Sequence, residues 1–338
     1  MKTFKIAGIE LKNRYVQAPL AGFTDYSMRR IAAEKGASLV YSEMESAEAL
    51  NFNSEATLED LKTTFTDRKY EPETKLALQI FGGKKDSVLH SIPLFEKNAS
   101  YDFLDFNCGC PVPKVIKQHA GSYWMMRQDE LIDLLKDMVK ISNKPVILKI
   151  RIGFNKVIEM VPLCKRIEEA GVEAIAIHGR TKTQGFQGQV NYDIIKDVKK
   201  NVSIPIIVNG AIDETNCEQI LEETGTDAAM IGQRAIGYPK VFEDLIRTEN
   251  GEKLRPTTLD SQIDDLKKHL EYIFATKDEK SASDIMRSIS VRYLKGLDDT
   301  RQYRMQLVHC QSLDAYLSIL KVCRVSKTNI IIAYFAVY

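Results

Sequence analysis

The sequence predicts a parallel (β/α)8 barrel followed by a small helical bundle. Two observations carry this: eight short β-rich runs alternate with amphipathic helical runs from Val16 to about Arg247, and only helical periodicity follows. The strand runs are, in order, "YVQAPLAG", "SLVYSEM", "KLALQIFG", "FLDFNCG", "PVILKIRIG", "EAIAIHGR", "IPIIVNGA" and "DAAMIGQRA". Each is β-branched or aromatic in character and bounded by Gly, Pro or polar residues, as buried strands are. Between them lie "DYSMRRIAAEKG", "DELIDLLKDMVKIS", "VIEMVPLCKRIEEAG" and "DETNCEQILEETG", several opening on Asp and two closing on Gly in the manner of helix caps. A doubly wound open sheet is the competing arrangement, weakened because no G-x-G-x-x-G follows the first strand. Ahead of the barrel, "FKIAGIELKN" predicts a small hairpin with Gly8 in its turn.

The polar stretch "ENGEKLRPTT" places a domain boundary near residue 250. Beyond it, "IDDLKKHLEYIF", "ASDIMRSISVRYLKGL" and "SLDAYLSILK" are helical. Residues 1–250 are therefore assigned to the barrel, 251–325 to a helical domain, and 326–338 to an apolar tail without an assigned role. The tail "NIIIAYFAVY" is far shorter than the roughly 20 residues that cross a bilayer.

Hydrophobic residues make up 44% of the 338 and charged residues 28%, which excludes a disordered or fibrous chain. A net charge of +1 excludes a polycation, but its distribution is uneven. Between Lys280 and Lys327 nine basic residues face four acidic ones, a local +5, and the remainder is −4. A polyanionic partner would meet the helical domain. The start "MKTFKIAGIELKNR" lacks an apolar core of the secretory type, so a cytoplasmic, reducing location with six free cysteines is expected. Neither a membrane segment nor an obligate protein partner is readable.

In a (β/α)8 barrel the active site lies where the strands end. Here those ends are polar: Pro19-Leu20-Ala21-Gly22 after the first, Gln79 in the third, Asn107, Cys108 and Cys110 at the fourth, Lys149 and Arg151 in the fifth, His178 and Arg180 at the sixth, Asn209-Gly210 at the seventh, and Gly232-Gln233-Arg234 at the eighth. Taken singly, each is an ordinary capping or turn residue. Seven of eight strands ending so on one rim point to a polar ligand. "NGAI" and "GQRAIG" set small residues where backbone N–H groups can approach a phosphate, so a phosphorylated cofactor leads. Lys149 beside an electron-rich ring, and Gln79 reading that ring's edge, fit flavin mononucleotide (FMN).

Cys108 and Cys110 lack the second pair or spaced His that zinc needs, so no metal is expected. Nor is C-x-C the redox spacing. Cys108 sits inside the strand end as a small buried hydrophobe, whereas Cys110, between Gly109 and Pro111, stands on a turn above the barrel mouth. A nucleophile, an acid and a bystander all remain open for it.

"APLAGFTD", "LQIFG", "FNCGCPVPKV", "LKIRIG", "IHGRT" and "VNGAI", in this order, resemble the tRNA-dihydrouridine synthase family, and "VRYLKGL" extends the likeness into the helical domain. The resemblance implies an FMN enzyme that reduces particular uridines of tRNA to 5,6-dihydrouridine, with NADPH as reductant. It implies Cys110 as the catalytic cysteine, giving a proton to C5 of uracil while the flavin's hydride goes to C6; a thiol with pKa about 8.5 is a suitable general acid. It implies flavin contacts from Pro19, Leu20, Ala21, Gln79, Lys149, His178, Asn209, Gly210, Ala211, Gly232 and Gln233, with Arg234 beside a Gln233 that replaces the family's usual arginine. Asn107 and Arg180 correspond to residues facing the uracil. Arg287, Arg292 and Lys295 are the expected tRNA contacts in the basic helical domain. Two rivals stand beside this reading: an FMN barrel reducing a free pyrimidine or orotate, and a non-catalytic RNA-binding protein.

Overall fold

The computed structural model describes residues 2–51 and 73–335, with side chains to residue 325. The chain opens with β1 (Phe4–Ile6) and β2 (Ile9–Leu11), an antiparallel hairpin turned at Ala7 and Gly8, both at positive φ as a tight hairpin turn requires. The next eight strands close a parallel barrel: β3 (Tyr15–Gln17), β4 (Leu39–Ser46), β5 (Lys75–Phe81), β6 (Phe103–Cys108), β7 (Val146–Arg151), β8 (Ile175–His178), β9 (Ile206–Asn209) and β10 (Ala228–Ile231), which pairs back onto β3. These are the eight runs read from the sequence, in order.

Helices cover the outside: α1 (Tyr26–Glu34), α2 (Ala47–Asn51), α3 (Lys85–Asn98), α4 (Pro113–Ile116), α5 (Gln128–Ile141), α6 (Met160–Glu169), α7 (Tyr192–Asn201), α8 (Cys217–Thr224) and α9 (Val241–Glu249). Asp25 caps α1 by accepting the Met28 N–H at 3.0 Å. Outward strand residues such as Leu104, Phe106 and Cys108 pack against these helices in one apolar layer. Inward residues such as Val16, Tyr41, Phe103 and Met230 fill the barrel, and Ile6 and Leu11 of the hairpin join them as a plug. The strand-end rim is thus left as the open face.

Past α9 the chain is helical: α10 (Leu259–Thr276), α11 (Glu279–Tyr293), α12 (Arg301–Leu307) and α13 (Leu313–Phe335). The sequence reading did not separate α12, a seven-residue piece too short to show a period. The helical region has its own core around Ile263, Leu266, Met286 and Tyr316, onto which Leu20, Phe23 and Ile236 of the barrel rim pack. It is also tied to α1, where Lys35 pairs with Asp265 at 2.7 Å and Tyr272 donates to Glu34 at 2.7 Å. The connecting stretch is held by Lys240, which pairs with buried Asp244 and donates to the Arg255 carbonyl at 3.2 Å. No helix of the described residues is long and apolar enough to cross a membrane, and the side chains of the apolar tail lie outside those described.

The two parts also meet at Gly237. Its φ is +77°, and a Cβ there would sit 2.5 Å from Cβ of Arg292 and 2.9 Å from the Tyr293 nitrogen. Gly237→Ala is expected to lose about 1–3 kcal/mol in denaturant unfolding, from the strained φ and the backbone clash together. A loss under a few tenths would show that the contact yields freely.

Candidate active site

At the strand ends lies a cavity of about 560 Å³, lined on one side by Cys110 and Arg180 and on the other by the loops after β3, β9 and β10. Strand parity decides what reaches it. On β6, Asp105 and Asn107 point inward while Phe106 and Cys108 point outward into the helix-facing core. The turn at Gly109 then carries Cys110 over the mouth, so two thiols two residues apart face different worlds. Cys108 is fully buried, and neither forms a disulfide.

Cys110 is held from three sides. The Asn107 side-chain oxygen accepts the N–H groups of Gly109 at 3.1 Å and Cys110 at 2.9 Å. Arg151 Nε donates to the Gly109 carbonyl at 2.8 Å. Ser122 donates to the Cys110 carbonyl from both its N–H at 3.1 Å and its hydroxyl at 3.0 Å. Ser122 belongs to a 3₁₀ turn, Gly121–Met126, locked in place by Trp124, whose indole donates to the Gly82 carbonyl at 2.9 Å. Burial raises the Cys110 thiol pKa above its ordinary value, against the opposing pull of the Val112 N–H, Arg151 and Lys149. The group at the mouth is therefore a protonated thiol at neutral pH.

Opposite stand two turns with backbone N–H groups that could receive an anion. Gly210 at φ +124° and Ala211 at φ +49° turn the chain sharply after β9. Among the described residues no carbonyl takes the N–H groups of Ala211, Ile212, Gly232, Gln233 or Arg234. Free N–H groups on such turns form a nest for a phosphate. Lys149 Nζ, half-buried, donates to the Asn209 side chain at 3.1 Å, and burial beside Arg151 lowers its pKa to about 8. His178 is buried, and burial together with Lys149, Arg151 and Arg180 lowers its pKa to about 2. Its Nε2 is a buried polar atom without a partner among the described residues, so a ligand's polar atom would complete it.

Pro19, Leu20, Ala21, Lys149, His178, Asn209, Gly210, Ala211, Gly232, Gln233 and Arg234 all line this cavity, as do Asn107, Cys110 and Arg180. Gln79 stands one layer lower. Its amide donates to Asp105 at 2.6 Å and accepts from Asn107 at 2.8 Å, so it orients Asn107 rather than meeting a ring edge directly. Arg234 is committed to Glu214 through both carboxylate oxygens and lies over the Tyr238 ring at 3.9 Å, so much of its charge is already balanced. Arg180 is fixed by the Gly188 carbonyl at 2.8 Å.

Of the three helical residues, only Arg292 reaches the cavity, with its guanidinium 5.3 Å from the Phe23 ring centroid. Arg287 lies five residues back, about 140° around the helix, and pairs at 3.1 Å with Asp284 on the surface. Lys295 is exposed just past the end of α11. The sequence reading noted Arg151 but did not assign it. Besides Gly109 it bonds the carbonyls of Thr181 at 3.1 Å and Gly185 at 2.9 Å, stapling three loops, and its signal was the inward parity it shares with Lys149. Phe186 and Met44, also in the lining, had no sequence signal. No group of three or more His, Cys, Asp or Glu able to hold a metal occurs among the described residues.

A closed parallel barrel with a thiol, a lysine and free turn N–H groups around one strand-end cavity is a (β/α)8 barrel whose candidate active site lies in the position usual for that fold. Residues 16–329 match the family model described as dihydrouridine synthase (Dus), and the chain belongs to this family of enzymes. It is 32% identical over 320 residues to tRNA-dihydrouridine synthase B of Pseudomonas aeruginosa, covering 93% of this chain and 94% of that one. A probable tRNA-dihydrouridine synthase of Aquifex aeolicus is 30% identical over 89% of this chain and 93% of its own. Among solved structures, TcOYE with pHBA superposes at a TM-score of 0.55 with 15% identity, over 77% of this chain and 95% of that one. A 2-naphthoyl-CoA reductase complex superposes at 0.59 with 14% identity, over 74% of this chain and 52% of its own. These two share the barrel fold.

Proposed function

We propose that the cavity binds FMN and reduces particular uridines of tRNA to 5,6-dihydrouridine, with NADPH as the reductant. The observation that carries this reading is a protonated Cys110 thiol held across one cavity from a turn of free backbone N–H groups, with Lys149 and a His178 Nε2 that has no partner among the described residues beside them. A phosphate would sit on the N–H groups of Ala211, Ile212 and residues 232–234, and the ring would lie by Lys149, His178 and Pro19 to Ala21. When bound, the flavin supplies a hydride for C6 of the uracil. Asn107 and Arg180 orient the base, and Cys110 gives its Sγ proton to C5. The relatives' printed names support tRNA as the substrate.

The purified protein is expected to show flavin absorption bands in the visible, and to form dihydrouridine on tRNA lacking that base. A colourless protein that binds RNA would favour a non-catalytic role. Reduction of free uracil or orotate, with tRNA unchanged, would favour the small-molecule reductase.

A further inference from the structure

The charge count directs RNA to the helical domain, yet that domain docks on the barrel through the loops after β3 and β10 and through α1. A partner held there alone is gripped on one side of the cavity. In an eight-stranded barrel the loops after β6, β7 and β8 lie across the mouth from that attachment. They carry a continuous row of rings ending in a cation. His119 stacks on Tyr123 with centroids 4.6 Å apart, Tyr123 meets Phe154 edge-on at 6.2 Å, and Lys182 Nζ lies 4.9 Å from the Phe154 ring centre.

Three features set this row apart from an ordinary solvated surface. His119 is exposed and held at φ +58°, a left-handed conformation uncommon outside glycine, which places its ring on Tyr123. Lys114 and Lys117, exposed just before it, and Lys182 after it form no ion pair among the described residues, whereas Lys85, Lys199 and Lys240 do. The row is also mechanically joined to the chemistry, because Arg151 bonds both Gly109, next to Cys110, and Thr181, next to Lys182.

Stacked rings together with lysines that have no carboxylate partner among the described residues are the composition that holds a single-stranded nucleic acid: bases continue the stack and ammonium groups meet phosphates. We propose that this ridge is a second RNA-binding surface, gripping nucleotides that flank the target uridine on the side of the cavity away from the helical domain. A base on the open face of His119 would extend the His119–Tyr123 stack. Lys114, Lys117 and Lys182 would take the adjoining phosphates. With Arg292 on the opposite rim, the two surfaces would fix a polyanion over Cys110 from both sides. The inference rests on RNA being the substrate.

The test is binding of bulk tRNA lacking dihydrouridine to the full-length protein, by fluorescence anisotropy over a range of salt. Lys117→Glu/Lys182→Glu should weaken binding about 10-fold or more at low salt and flatten the log–log salt slope by about two. His119→Ala should weaken binding several-fold with the slope unchanged, since stacking releases no counterions. Lys5→Glu, an exposed lysine on the hairpin at the other end of the barrel, should bind as the wild type does. Flavin content serves as the folding check, and the ridge variants should keep it. Ridge variants that bind normally, while the wild type forms dihydrouridine, would overturn the ridge alone. A wild type that neither binds tRNA nor modifies it would overturn the functional reading as well.

Discussion

Cys110→Ala is expected to retain its flavin and lose dihydrouridine formation by about 10²–10⁴-fold, the range that removal of a general acid costs. In the proposed reaction the thiol gives the proton; it lines the cavity mouth, and its burial keeps it protonated. The loop around it should survive the change, because Asn107, Arg151 and Ser122 all bind backbone atoms and none binds the sulfur. Cys108→Ala provides the contrast. It removes an outward-facing core atom at a cost of about 1 kcal/mol and should leave turnover near normal. Dihydrouridine yield and bound flavin, measured for both variants, decide it. Equal activity in the two would remove Cys110 from the chemistry.

Lys149→Met is expected to weaken FMN binding by roughly 10- to 100-fold, the loss of one charge-assisted bond, with the side chain's volume preserved. The pH dependence separates charge from packing. Burial and Arg151 hold the Lys149 pKa at about 8 in the protein without ligand. An anionic ligand favours the charged lysine and so raises that pKa on binding. Affinity is then full below pH 8 and falls as pH rises through it, by up to about tenfold per unit. His178 stays neutral throughout and contributes no slope in this window. The variant should show a flat profile over the same range, read by fluorescence titration of flavin-free protein. A wild-type profile equally flat would mean that Lys149 does not supply the charge.

Strands buried on both faces write themselves as short apolar runs, which is why the eight barrel strands could be read without tertiary information. Their ends supply most of the residues that line the cavity. What the runs do not carry is the depth of a side chain or the partner it has already taken. Gln79 and Asn107 both point inward, but two different heights in the barrel put one beneath the other. Nothing in the sequence pairs Arg234 with Glu214, 20 residues away, which holds it. Arg287 and Arg292 read alike in a basic segment, and only helix phase sends one to the cavity and the other to Asp284. The residues "GSYWMM" fold into the 3₁₀ turn that clamps the cysteine loop through Ser122 and Trp124, contacts that tertiary packing alone creates.

The most direct test of the central claim is a single-turnover assay. Flavin-loaded protein, reduced in the absence of oxygen, is mixed with tRNA lacking dihydrouridine, and both the flavin spectrum and the nucleoside mass are followed. The account predicts that flavin reoxidation and the gain of two hydrogens on uridine proceed together in the wild type, and that both stall in Cys110→Ala. Reoxidation with no modified uridine, or full modification without the Cys110 thiol, would contradict it.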